Sequence, residues 1–379
     1  MVKLTEYSNK NDYLSECNKS LINKFIKYLF NEVWTKKNIG ILYNFCIPSL
    51  KSFSGSRQLQ YSDEEYIKEI IYKLAAFPNI KVQLHETITS GNEKDGYKTS
   101  TRWTMTGKHH GPSIYSDESG QQVTLSGVSH KYIKIDNHAN NSNNPFQGIE
   151  LVENYTLYNE LQLASQLNMD PGTLTNRLHA SSYCGEEKNI RHIERRIDKD
   201  NLPTLNLEEL TNSPENIIKS YVNEVLNQRY LDSIHKYCSA SFKYNDCEEN
   251  KQHDVNQYQN YLLMKISMFP DCKFHIDEII YEKTNDNILK TSVRWTFLGT
   301  HEGYGKYGPP TGSSLYLRGI SHYHIKEDKF KEKWSFYNEL DTLKSLKLCV
   351  EKMDEDINED KHDPKEADKT DKFLPYLFY

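Results

Sequence analysis

The chain repeats itself, and that repeat constrains what it can fold into more than any other feature. From Arg102 it reads RWTMTGKHHG and from Arg294 RWTFLGTHEG. Arg102/Arg294, Trp103/Trp295, Gly107/Gly299, His109/His301, Gly111/Gly303, Gly127/Gly319, Ser129/Ser321 and His130/His322 are all 192 positions apart. So are Asn31/Asn223, Cys46/Cys238 and Pro78/Pro270. Further on, Glu153/Glu332, Asn159/Asn338 and Glu160/Glu339 are 179 apart, so the first copy carries 13 extra residues in the Asn-rich run around Asn137 to Gly148. A unit of this length is a domain, far above the ~20–50 residues of a solenoid repeat. Each copy can bury a core of its own, so the 379 residues are expected to form two tandem domains.

Both copies run from helix to strand. In the first, Ser20 stands before Ile22, Phe25, Ile26, Leu29, Phe30 and Val33 at helical spacing. In the second, Ser213 and Pro214 stand before Ile217, Ile218, Tyr221, Val222 and Val225. A second helix is expected from Ser62 to before Pro78, and its counterpart from about Asp254 to Phe269, before Pro270. Strands are expected from Lys81 and from Lys273 onward, and period-two alternation around Trp295, Leu317 and Trp334 predicts an antiparallel meander. Helices followed by strands indicate α+β: two cone-shaped domains, each with helices packed on a curved antiparallel sheet. The expected divisions are 21–167, a linker at 168–212 with a charged helical segment at 186–197, a second domain at 213–350, and a charged tail at 351–379.

Composition removes several function classes. Net charge is −6 and Lys and Arg are scattered, so the basic stripe of a nucleic-acid binder is absent. No apolar run approaches the ~20 residues that span a bilayer, and the first residues lack a secretory h-region. Seven cysteines without CxxC spacing read as reduced thiols of a cytoplasmic protein. Cys46 and Cys238, equivalent in the repeat, read as small core residues. No metal-ligand spacing is present.

The motifs R-W, G-x-H-x-G, P-P-T-G, G-x-S-H and E-x-W, closed by Tyr337-Asn338-Glu339-Leu340, resemble the SnoaL-like polyketide cyclase (ester cyclase) family. The resemblance implies a nuclear-transport-factor-2-like fold, in which helices are wrapped by a strongly curved sheet. It is carried in the second copy by Gly299, His301, Gly303, Pro309, Pro310, Thr311, Gly312, Glu332 and Trp334. The first copy reads as degenerate, with Asp117, Glu118 and Ser119 in place of the P-P-T and Tyr155 in place of Trp334. The resemblance also implies an internal pseudo-dimer within one chain, and the better pocket in the second copy. The family's acid/base aspartate lies four residues after the tryptophan of E-x-W; here that position is Asn338, and Asn159 in the first copy.

Two functions follow as expectations. One is a cofactor-free cyclase or isomerase working by acid/base chemistry on a small apolar carbonyl compound. The other is a non-catalytic ligand-binding or scaffold protein that has lost the aspartate. For the first, His322 is the expected base, with an ordinary pKa near ~6.5. Glu332 would hold its tautomer, His301 or Arg294 would stabilise an enolate oxygen, and Glu339 is the remaining candidate base. Trp295, His324, Trp334 and Asn338 would line the second pocket, with Trp103 and His130 in the first. Against this, a lone strand histidine is more often a structural residue than a catalyst.

Overall fold

Each half of the chain builds one six-stranded sheet with helices against it, the α+β arrangement that the order of elements predicts. The computed structural model describes residues 10–54, 60–113, 115, 117–136, 144–170, 215–247 and 252–346. The charged segment at 186–197, the cap at Ser213–Pro214 and the tail at 351–379 lie outside the described residues, as does the linker beyond 170. The chain divides into two compact units, residues 1–184 with 280–292, and residues 185–279 with 293–379.

The first sheet holds β1 (Cys46–Ser54), β2 (Gln60–Tyr61), β3 (Lys81–Asn92), β4 (Gly96–Lys108), β5 (Gln122–Ile135) and β6 (Ile149–Tyr158), in the order β2-β1-β6-β5-β4-β3. The second holds β7 (Cys238–Asp246), β8 (Gln252–His253), β9 (Lys273–Lys283), β10 (Leu289–Thr300), β11 (Ser314–Lys326) and β12 (Lys329–Tyr337), in the matching order β8-β7-β12-β11-β10-β9. The meanders β3–β6 and β9–β12 are the expected ones. The sheets are nevertheless mixed, because β1 lies parallel to β6 and β7 parallel to β12. A strand that precedes its neighbour by a helix and a meander can return in the same direction. Their sequences, CIPSLKSFS and CSASFKYND, are too polar to alternate cleanly, which hid them.

The helices before the meander start and stop where local chemistry dictates. Ser62 accepts a hydrogen bond from the Glu64 amide at the start of the helix Asp63–Ala76. Asp254 and Gln257 form a full capping box at the start of Val255–Met268. The opening helix is longer than expected: it begins at Lys10, so Ser20 lies within it. In both copies it ends in a π-type turn, Asn31–Thr35 and Val222–Asn227, closed by a residue at positive φ, Lys37 and Arg229.

Two glycine pairs explain the recurring motifs. A Cβ on Gly319 would enter the Trp295 indole, and one on Gly127 the Trp103 indole, so the glycine of G-x-S-H is the floor on which the tryptophan lies. The indole nitrogen then donates to the serine two residues on, Trp295 to Ser321 Oγ at 2.9 Å and Trp103 to Ser129 Oγ at 3.0 Å. Gly303 and Gly111 sit against the last carbonyls of the preceding helix, where Ser267 and Ala75 leave no room for a side chain. None of the five described cysteines is in a disulfide; burial pushes the Cys46 and Cys238 thiols up to about 12, as core residues.

Candidate functional site

Each copy encloses a cavity of about 80 Å³ between its helices and the concave side of its sheet. The two cavities are alike in volume, and what differs is the lining. In the second copy the inward face carries Trp295 and Phe297 on β10, Ser321 and Tyr323 on β11, and Lys333 and Ser335 on β12. Tyr258 and Phe269 close it from the helix side.

This parity sends most of the expected site residues to the other face. Arg294 alternates with the inward-facing Val293 and Trp295, and it does not line the cavity. His322 and Trp334 pair across β11 and β12, as do His324 and Glu332, and none of the four lines it. His322 is fully buried. His324 stacks edge-on against Trp334, with ring centroids 4.8 Å apart, and Glu332 accepts from Asn245 Nδ2 at 3.0 Å. In the first copy His130 sits between the cavity-lining Ser129 and Lys131 and points away from that cavity. Of the expected site residues, Trp295 and Trp103 reach a cavity.

Alternation is also broken along β12. The register of β12 slips between Phe330 and Glu332, a bulge that makes both Phe330 and Lys333 face inward. Simple alternation groups Phe330 with Trp334 and Phe336 and leaves Lys333 outside. With both faces of the sheet buried, hydrophobicity alone does not say which parity is the core.

His301 and the Asn-Glu pair have structural work of their own. His301 clamps the β10–β11 connection: its amide donates to the Ser313 carbonyl at 2.9 Å, its carbonyl accepts from the Gly312 amide at 3.0 Å, and its Nδ1 lies 3.2 Å from Thr311 Oγ1. His109 does the same in the first copy, with Gln121, Gly120 and Ser119. Burial lowers the pKa of both imidazoles. His301 packs behind Phe269 and Tyr307 without lining the cavity itself. Asn338 ends its strand and caps the following helix, accepting from the Leu340 amide at 3.3 Å; Asn159 accepts from the Leu161 amide at 3.2 Å. Glu339 and Glu160, in the first helical turn, are buried and held by Tyr307 (3.1 Å) and Tyr115 (2.9 Å); Glu339 is also paired with Lys306. The tyrosines line the cavities, the carboxylates do not.

The chemistry-bearing group that sequence reasoning missed is Lys333. Its amine donates to the Tyr258 hydroxyl at 2.6 Å, and that hydroxyl lies 2.6 Å from the hydroxyl of Tyr221. The rings of Tyr258, Tyr323, Tyr221 and Tyr244 surround the amine with centroids at 5.0, 5.1, 5.4 and 5.7 Å. Burial pushes its pKa down to about 7, so the neutral amine is abundant near neutrality. No sequence signal marks it, because its strand, KFKEKWSFY, also carries Lys329, Lys331 and Glu332. Among the described residues no three His, Cys, Asp or Glu side chains cluster as a metal ion requires.

Residues 216–346 match the SnoaL-like polyketide cyclase family. The second copy is a SnoaL-like domain. Among solved structures, AclR from Streptomyces galilaeus is similar at 20% identity, covering 35% of this chain and 93% of its own, with a TM-score of 0.31. IdmH from Streptomyces antibioticus is similar at 14% identity (37% and 99% covered, TM-score 0.31). A SnoaL-like polyketide cyclase from Agrobacterium tumefaciens is similar at 16% identity (38% and 98% covered, TM-score 0.29). No curated protein matches the chain. No helix among the described residues is long and apolar enough to cross a membrane.

Proposed function

We propose that the cavity of the SnoaL-like domain takes a small, largely apolar carbonyl compound and moves a proton at the carbon beside its carbonyl, as a cyclase or isomerase must. The carrying observation is Lys333, a buried amine opening into an otherwise aromatic and aliphatic cavity and hydrogen-bonded to a tyrosine hydroxyl. A neutral amine with a pKa near the working pH is a competent general base, and burial has lowered this one to about 7. The Tyr258 and Tyr221 hydroxyls, linked to each other, supply a donor for the developing enolate oxygen. Trp295 and Phe297 exclude water around it. Acid/base work of this kind draws only on the chain's own side chains.

The non-catalytic reading rests on Asn338, which stands where the family's aspartate would be and is committed to a helix cap. Lys333 favours catalysis over it, because an apolar residue would fill the same space without the cost of burying an amine. The test needs no knowledge of the natural substrate. Small ketones such as 2-pentanone are incubated with the protein in D₂O, and exchange of their α-protons is followed by NMR. The proposal expects protein-dependent exchange that disappears in Lys333→Met; exchange at the rate of buffer alone overturns it.

A further inference from the structure

The first copy also holds one buried lysine in its cavity, and it comes from a different strand. Lys131 on β5 is opposite Asn154 on β6, whereas in the second copy Tyr323 on β11 is opposite Lys333 on β12. The repeat offsets of 192 and 179 make Lys131 equivalent to Tyr323 and Asn154 equivalent to Lys333. The two cross-strand pairs therefore occupy the same place in the two sheets with the amine exchanged between partners. All four residues face their cavities. Directly opposed side chains in an antiparallel pair have Cβ atoms only ~4.5–5.5 Å apart. A lysine from either strand thus delivers its amine to the same region.

Drift does not account for this well. Burying an amine is costly, and lysine is among the residues least often fully buried. Yet Lys131 is 3% exposed and Lys333 6%. Among the described residues neither is paired with a carboxylate: Lys131 donates to Asn154 Oδ1 and Lys333 to Tyr258. Lys73 and Glu69, which also line the first cavity, form an ion pair at 2.5 Å. Each of the two diverged copies has one amine at this cross-strand pair, on opposite strands, a pattern expected if the amine and not the residue position is what is needed.

We propose that both cavities are amine sites that condense covalently with small apolar aldehydes or ketones, Lys333 in the second copy and Lys131 in the first. This rests on reading the cavities as carbonyl sites, and adds to it a bond and a second site. The neutral amine's lone pair forms a C–N bond to the carbonyl carbon while the C=O π pair moves to oxygen, which takes up the proton that the nitrogen gives up, leaving a neutral carbinolamine. The carbinolamine oxygen, protonated again, leaves as water as the nitrogen lone pair forms C=N. In the second copy the Tyr258 hydroxyl is placed to give that proton and to recover one from the iminium nitrogen. Amine and carbonyl become imine and water, with no change of oxidation state. Burial brings the two amines to about 7 and about 8, so both are partly neutral at pH 7.

The test is reductive trapping on the full chain. Butanal at low concentration with sodium cyanoborohydride at pH 7 converts each imine to a stable secondary amine, which peptide mapping locates. An ordinary lysine, with a pKa near ~10.4, is neutral to about one part in 10³ at pH 7. Labelling is therefore expected ~10³-fold faster at Lys333 and ~10²-fold faster at Lys131 than at surface lysines. The α-amino group, titrating near ~8, is labelled in every sample and serves as a reference. Lys333→Met should keep the label at Lys131, and Lys131→Met should keep it at Lys333. The mapping in the unsubstituted protein is decisive even if a variant does not fold. Label at Lys333 alone refutes the second site, and label spread over surface lysines without excess at these two refutes the proposal. Ketone α-exchange without trapping would leave the acid/base function standing and sink the imine. Trapping at both lysines without α-exchange would do the reverse.

Discussion

The buried amine makes a pH-dependent stability prediction that is separate from any activity. Lys333 titrates at about 7 in the folded protein and near ~10.4 when unfolded. Below pH 7 both states bind the proton and burial of the ammonium is at its most costly. Between pH 7 and ~10.4 the unfolded state binds more protons than the native state, so stability rises with pH. Each pH unit in that window contributes about 1.4 kcal/mol. Replacing Lys333 with Met removes this slope. The stability of Lys333→Met relative to the parent should thus fall by about 2 kcal/mol between pH 7 and pH 9. The groups packed around the amine do not blur the window. Burial raises the pKa of Cys238 to about 12 and places Tyr221, Tyr244, Tyr258 and Tyr323 above their usual values, so all stay neutral there. The measurement is urea unfolding of both proteins at pH 7, 8 and 9, following the transition of the second unit. The competing effect is cation–π attraction from four ring faces, each favouring the ammonium by about 0.5–2 kcal/mol. A difference that stays flat from pH 7 to 9 would show that the rings offset burial completely, and the neutral-amine argument would fall with it.

Other expectations follow from the same geometry. Gly319→Ala should destabilise the second unit by about 3 kcal/mol or more, since the new methyl enters the Trp295 ring; an unchanged denaturation midpoint and tryptophan emission would contradict this. Asn338→Ala should cost about 1 kcal/mol through loss of the cap, while Asn338→Asp should keep stability, both read by denaturant unfolding. His322→Gln, on the far face of the sheet, should leave the α-exchange rate of small ketones within a factor of ~2, against the loss of ~10²-fold or more expected had it been the base.

The duplication, the α+β class and the starts of the two helices that precede the meanders are legible in the sequence because each depends on local chemistry or on counting, whereas Ser20 falls within a longer helix. Ser62 and Asp254 cap where their side chains can reach the next amides, and Gly127 and Gly319 recur because a tryptophan lies on each. The parallel strands β1 and β7 are not legible, since their partners lie about a hundred residues away and set their direction. Which residues line the cavity was decided by tertiary structure alone. Lys333 alternates with Trp334 and shares the cavity face with Ser335 and Tyr337, while the same sheet buries His322 on its other face, so no count of alternating residues says which face is the cavity's. The exchange of Lys131 for Lys333 is likewise invisible position by position. Only when the strands are paired do two unrelated columns of the repeat become one amine in one cavity.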